Sequence, residues 1–269
     1  MDFWSQILDF CHSSTKAVGE KLIVLSGKIT ATKKNDGTLV TEADRIADAQ
    51  LRSLITSTFP NHGVLTEETT HIFPDKDWCW IIDPIDGTTN FSHGLPIWGI
   101  SLGLVYRGTP VFGFVYIPNL SKSYYGYWSD RDDLNIPTGA YCNGESIHTS
   151  DALPDKNNLF NLCARSTKIL AKPFPCKIRM IGVASYNILL VADGAALGGV
   201  EATPKIWDIA GVWPIIQAAG GCFISLGEEN LFPLTVGENY RDKSYPCLVV
   251  ARSELVPIFK PLVHSIGGN

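Results

Sequence analysis

A chain of 269 residues with 45% apolar content can bury a sizeable core, as one large domain or as two closely joined halves. Its 22 basic and 27 acidic residues give a net charge of −5, and no Lys/Arg-rich run is present, which excludes the electrostatic footprint of a nucleic-acid binder. Cysteines 11, 79, 142, 163, 176, 222 and 247 have neither zinc-ribbon nor CxxC spacing, so they read as reduced thiols of a cytoplasmic protein.

The opening MDFWSQILDF lacks a basic stretch before an apolar block, and no window holds 18 uninterrupted apolar residues; neither a signal peptide nor a membrane span is expected. Trp4, Ile7, Leu8, Cys11, Thr15, Val18, Leu22 and Leu25 recur at helical spacing and predict a long amphipathic first helix. KITATKKNDGTLV then reads as a hairpin turning at Asn35-Asp36-Gly37. Thr41-Glu42-Ala43-Asp44 resembles a capping box, opening a helix through Ala47, Leu51, Leu54, Ile55 and Thr58 that stops near Pro60.

From Trp78 to Tyr127, short β-rich runs separated by turn residues predict a largely antiparallel sheet. The polar stretch 129–158 reads as a loop and as the seam between two halves, 1–140 and 141–269, of one catalytic unit. Strand-like LFNLCARS and KIRMIG follow, then a helix ASYNILLVAD ended by Gly194, and a return to the sheet in AALGGVEAT. WDIAGVWPIIQAAGG reads as one helix, closed by Gly220-Gly221 and kinked by Pro214. Strands CFISL and YPCLVVA and a short helix complete a mixed α/β fold of layered helices and sheets.

The chemistry concentrates in IIDPIDGTTNFSHG, residues 81–94. Pro84 biases Asp83 toward extended backbone, so Asp83 and Asp86 can converge from a strand end and the following turn, with the Ile85 carbonyl between them. Gly87 permits close approach of a ligand, and the amides of Gly87 and Thr88 can form an anion nest. Carboxylates, a carbonyl and a hydroxyl suit Mg2+ better than zinc. A plain turn with a solvated aspartate competes with this reading. Glu67 and Glu68 in LTEETT, Asp208 in IWDIAG and Asp44 also have bland readings: a solvated pair, an N-cap aspartate and the acidic end of a capping box.

Together, DPIDGTTNF and WDIAG, about 120 residues apart, resemble the inositol monophosphatase family of Mg2+-dependent, lithium-sensitive phosphatases, over nearly the whole chain. The resemblance implies alternating α-β-α-β-α layers, a homodimer and two or three Mg2+ ions per site. By matching position it implies Glu67, Asp83, the Ile85 carbonyl, Asp86 and Asp208 as metal ligands. Lys33 matches the family lysine that opens a mobile hairpin, and Asp44 and Thr88 match a pair that polarises the attacking water with Glu67. Phosphate is placed on Asp86 and the amides of Gly87 and Thr88, a substrate hydroxyl on Glu201, and the sugar ring against Gly182–Ser185, including Ala184.

With no Ser, Cys or His in DPIDGTTNF or WDIAG to act as nucleophile, direct water attack is expected, without a phosphoenzyme. Lys205 stands where many members have histidine; it reads either as a residue beside the substrate or as a simply solvated lysine, with the second reading favoured. Glu201 favours a polyol phosphate such as inositol-1-phosphate; it also fits the ammonium of histidinol phosphate, the alternative reading. Other sugar phosphates are family substrates too, and 3'-phosphoadenosine is disfavoured because no basic cluster awaits a second phosphate. A catalytically silent regulatory homologue, the rival from another class, would have lost a ligand carboxylate, and all of them stand.

Overall fold

In the computed structural model, which describes residues 2–33, 39–131, 134–171, 173–227 and 230–266, helices and sheets alternate in five layers. The turn expected at 35–37 lies outside the described residues. Helix α1 (Phe3–Leu25) starts where Asp2 accepts the amides of Trp4 and Ser5, and buries Ile7, Phe10, Cys11, Val18 and Leu22. A short ribbon, β1 (Thr32–Lys33) and β2 (Leu39–Val40), leads into α2 (Glu42–Thr58), whose N-cap Thr41 and N3 Asp44 form the expected capping box. Both helices cover one face of a seven-stranded sheet, packing on Trp80, Ile82, Ile100, Leu102, Leu104, Phe112 and Phe114.

That sheet runs in order β3 (Gly63–Thr66), β4 (Trp78–Asp86), β5 (Gly99–Tyr106), β6 (Thr109–Ile117), β7 (Lys122–Tyr127), β8 (Gly139–Cys142) and β9 (Glu145–Ser146). Only the β3–β4 pair is parallel. The five-residue helix α3 (Thr88–Ser92) follows β4. The polar stretch read as loop therefore carries a hairpin, and residue 140 lies within β8. Its turn is Asn143-Gly144, with φ of 51° and 88°, the pair of positive values that a two-residue hairpin turn requires.

The second sheet runs in order β11 (Lys177–Arg179), β10 (Leu159–Leu162), β12 (Gly198–Glu201), β14 (Cys247–Val250) and β13 (Cys222–Ser225). Between the sheets lie α4 (Ala184–Ala192), α5 (Ile206–Ala210) and α6 (Trp213–Ala218). The outer layer includes α7 (Val256–Val263), whose Phe259 ring centroid is 4.8 Å from that of Phe160. Side chains alternate along β10, so the neighbouring Asn161 faces inward and its amide reaches the Asn187 carbonyl at 2.8 Å.

The single kinked helix expected around Pro214 is instead two helices. A Cβ placed on Gly113 would fall 1.8 Å from the Gly211 carbonyl oxygen, and one on Gly103 within 2.8 Å of Ala210, so the break between α5 and α6 lies directly on the sheet backbone. Pro214 occupies the first turn of α6, where its missing N–H costs no helical bond. All seven cysteines are free thiols. Among the described residues, no helix is long and apolar enough to cross a membrane.

Candidate active site

In a regular strand, residues three apart point to opposite faces. Asp83 pairs with Ser101 and Asp86 with Gly99, so β4 advances three residues while β5 advances two. This bulge, at Pro84-Ile85, brings both carboxylates to one side. Both aspartates thus belong to the strand, rather than one to the strand and one to the turn beyond it. The bulge is pinned at 3.0 Å by the Ile85 amide donating to Asp83 Oδ1.

Asp208 arrives from α5 at the third helical position. Its Oδ2 accepts the Lys205 amide at 2.6 Å, so it is not the N-cap. Oxygens of Asp83, Asp86 and Asp208 all lie within 4.8 Å of one another. Burial foremost, and then the neighbouring carboxylates, push Asp83 and Asp208 well above the usual carboxylate range, and the two share a hydrogen bond. Burial also raises Asp86, opposed by two donors from the start of α4: Ala184 N at 3.2 Å to Oδ1 and Ser185 N at 2.6 Å to Oδ2. Glu67, just past β3, lines the same cleft and adds its charge to Asp83 and Asp208. Hard oxygen donors, crowded and desolvated without a histidine or cysteine among them, fit a divalent cation such as Mg2+.

Asp44 serves two ends. Its Oδ2 accepts the Thr41 amide at 2.7 Å and the Thr41 hydroxyl at 2.5 Å, closing the capping box. Its Oδ1 lies 3.1 Å from the Thr88 hydroxyl, which is also 3.1 Å from the Ile85 carbonyl. Asp44 therefore closes the capping box with one oxygen and meets Thr88 with the other.

The cleft is about 740 Å3 and extends from these carboxylates to Glu201 at the end of β12. Asn187 donates to Glu201 Oε1 at 2.6 Å, and burial lifts Glu201 to about 7. Asn187 escapes a sequence reading because it lies mid-helix; only the alternation that exposes Asn161 and Asn187 to each other places it here. Ala184 lines the cleft, with its amide turned to Asp86.

Lys205 also lines it, half-buried, with Nζ donating to the Arg241 carbonyl at 3.1 Å, so it is not a freely solvated lysine. Arg165 stands on the same wall, 2.6 Å from the Thr203 hydroxyl. The sequence reading missed this pair because 40 residues separate them. Lys33 is exposed on β1 and lies outside the cleft lining, to which the ribbon contributes Leu39.

Gly87 joins the bulge to α3 at φ 90° and ψ 40°, and a Cβ there would meet Val183 Cγ2 at 2.7 Å. Gly87→Ala is expected to cost about 2 kcal/mol of stability from the left-handed backbone alone, and to lower turnover at least tenfold. Thermal melting and phosphate release measure the two effects separately.

The family described as "Inositol monophosphatase family" matches residues 4–245. A Thermotoga maritima protein named fructose-1,6-bisphosphatase/inositol-1-monophosphatase is 31% identical, over 97% of this chain and 99% of its own length. Inositol monophosphatase 1 of Bos taurus is 30% identical, over 84% of this chain and 85% of its own. A histidinol-phosphatase of Chlorobaculum parvum is 32% identical, over 70% and 73%. Among solved structures, an IMPase of Thermotoga maritima superimposes with a TM-score of 0.79 at 30% identity, covering 97% of this chain and 99% of that one.

Proposed function

Since this chain belongs to the inositol monophosphatase family and hydrolyses phosphate monoesters, we propose that its substrate is a small polyol phosphate, inositol-1-phosphate foremost, and its cofactor two or three Mg2+ ions. The observation that carries this reading is the convergence of buried Asp83 and Asp86 with half-buried Asp208, beside the Asp44–Thr88 pair. Glu67, Asp83, the Ile85 carbonyl, Asp86 and Asp208 would hold the ions. Bound there, Mg2+ supplies the positive charge that a doubly negative ester needs before a nucleophile can approach, and makes water more acidic.

The residues of the chain do the rest. Asp44 takes the Thr88 hydroxyl proton as a hydrogen bond, which leaves a Thr88 lone pair turned to the attacking water. Glu67 receives the proton that this water loses, so Glu67 and Thr88 together set the in-line approach. The amides of Gly87 and Thr88 carry the phosphate, and Glu201 accepts from a substrate hydroxyl at the far end of the cleft.

The test is phosphate release with Mg2+ from inositol-1-phosphate, histidinol phosphate, fructose-1,6-bisphosphate and 3'-phosphoadenosine 5'-phosphate. Inositol-1-phosphate is expected to show the highest kcat/KM, and release from none of the four refutes the reading. Glu201→Gln is expected to raise KM for inositol-1-phosphate about tenfold, the value of a hydrogen bond to a charged group, while Gln keeps the carbonyl that Asn187 donates to.

One observation favours a second reading. Arg165 and Lys205 on one wall suit a substrate bearing another anionic group, such as a sugar bisphosphate. Arg165→Ala should then lower kcat/KM for fructose-1,6-bisphosphate and leave inositol-1-phosphate unchanged. A homodimer in the cytoplasm and inhibition by lithium complete the proposal; sedimentation and lithium titration against Mg2+ check the assembly and the inhibition.

A further inference from the structure

Asp48 sits one turn beyond Asp44 on α2, on the same face of the helix, with only 1% of its surface exposed. Its Oδ2 lies 2.9 Å from the Thr69 hydroxyl and 3.3 Å from Arg52 Nε. The Arg52 contact joins Asp48 to a residue of its own helix, four positions on, and so ties α2 to nothing outside itself. The contact with Thr69 has more consequence, because Thr69 belongs to the turn that carries Glu67.

That turn is closed at several points. The Thr66 hydroxyl accepts the amides of Thr69 at 3.1 Å and Thr70 at 3.4 Å, and the Thr66 amide donates to the Thr70 carbonyl at 2.8 Å. The Glu67 backbone is fixed on both sides, its amide on the Ile82 carbonyl at 3.1 Å and its carbonyl 2.7 Å from His71 Nε2. The His71 ring in turn lies 5.9 Å from Trp207, the neighbour of Asp208. Asp48 ties α2 to this turn through the Thr69 hydroxyl.

We propose that Asp48 is a positioning residue, which holds the Glu67 turn at a fixed distance from the Asp44–Thr88 pair so that one face of α2 sets both sides of the water site. The inference rests on the proposed role of Glu67 as metal ligand and base. Partners one step behind a ligand orient it, and their loss lowers metal affinity by one to two orders of magnitude.

The experiment uses the full chain and Mg2+ as the probe. The Mg2+ concentration giving half of the thermal stabilisation, and that giving half-maximal phosphate release, are measured for the wild type, Asp48→Ala, Asp48→Asn and Thr69→Val. Arg45→Ala, on an exposed part of the same helix, serves as control. Asp48→Ala and Thr69→Val are expected to raise both Mg2+ midpoints about tenfold, with KM for the ester within twofold of the wild type. Asp48→Asn keeps an acceptor for Thr69 and should recover most of the loss, and Arg45→Ala should change neither midpoint. A purely structural Asp48 would lower the melting temperature and leave the Mg2+ midpoints within twofold, and that result overturns the proposal. If Asp48→Ala does not fold, the exposed Thr69→Val decides alone. Midpoints that shift in melting while the wild type releases no phosphate would sink the proposed substrate and leave the positioning role standing.

Discussion

Asp86→Asn is expected to reduce phosphate release at least a thousandfold, measured as kcat/KM at saturating Mg2+. Such a loss is about 4 kcal/mol at the transition state, within the several kcal/mol that cation stabilisation of the developing charge supplies. The same variant should also melt lower than the wild type. Asp86 offers one oxygen to the Ala184 amide and the other to the Ser185 amide, and an asparagine can accept only one of them. Its NH2 then faces an N–H donor, leaving a buried amide unpaired at about 1–3 kcal/mol. If Asp86→Asn retains more than a tenth of wild-type activity, Asp86 does not hold the cofactor.

Asp83→Asn should be equally inactive but should melt higher than the wild type when both are stripped of divalent ions. Asp83 and Asp208 have folded-state pKa values raised above the ordinary 3.8, chiefly by burial and then by neighbouring carboxylates. A raised acid binds protons more readily in the folded state, so its contribution to stability is full below the unfolded value and disappears as pH climbs through the folded one. Glu201 acts with the same sign between 4.5 and about 7.

The metal-free wild type should therefore lose melting temperature from pH 5 to pH 8. Asn at position 83 supplies a permanent donor to the hydrogen bond that Asp83 and Asp208 share, so Asp83→Asn should lose less. About 1 kcal/mol of relief corresponds to roughly 2–4 °C in a chain of this size. Added Mg2+ should reverse the order, stabilising the wild type above the variant. A variant that melts below the wild type throughout, with chelator present, contradicts this account of the cluster.

The residues that converge on the cleft were readable because their types are unusual in company: two aspartates around a proline, a glutamate after a buried strand, an aspartate beside a tryptophan. The capping box at Thr41 and the long first helix were also readable, since both obey local rules that need no partner. What escaped depends on contacts far along the chain. The split between α5 and α6 is imposed by the approach of Gly211 to Gly113, and Pro214 misled because a proline in a first turn and one in a helix interior look alike in sequence. The bulge that turns Asp83 and Asp86 to one side exists only as a register against β5. Arg165, Asn187 and Asp48 carry no signature at all. The Asn143-Gly144 hairpin is different: its signal was present, hidden among polar residues that made the whole stretch resemble a linker.

The structural contacts of Asp44 and Asp86, beside their proposed roles, bear on how such a protein can change over generations. If the proposed site is right, a copy released from catalysis could shed Asp83 or Glu67 early, since crowded carboxylates repel one another once nothing selects for an ion. It could not so easily shed Asp44, which closes the start of α2, or Asp86, which receives the start of α4. Inactive descendants of this chain should therefore retain Asp44 and Asp86 longest, as relics of architecture rather than of activity.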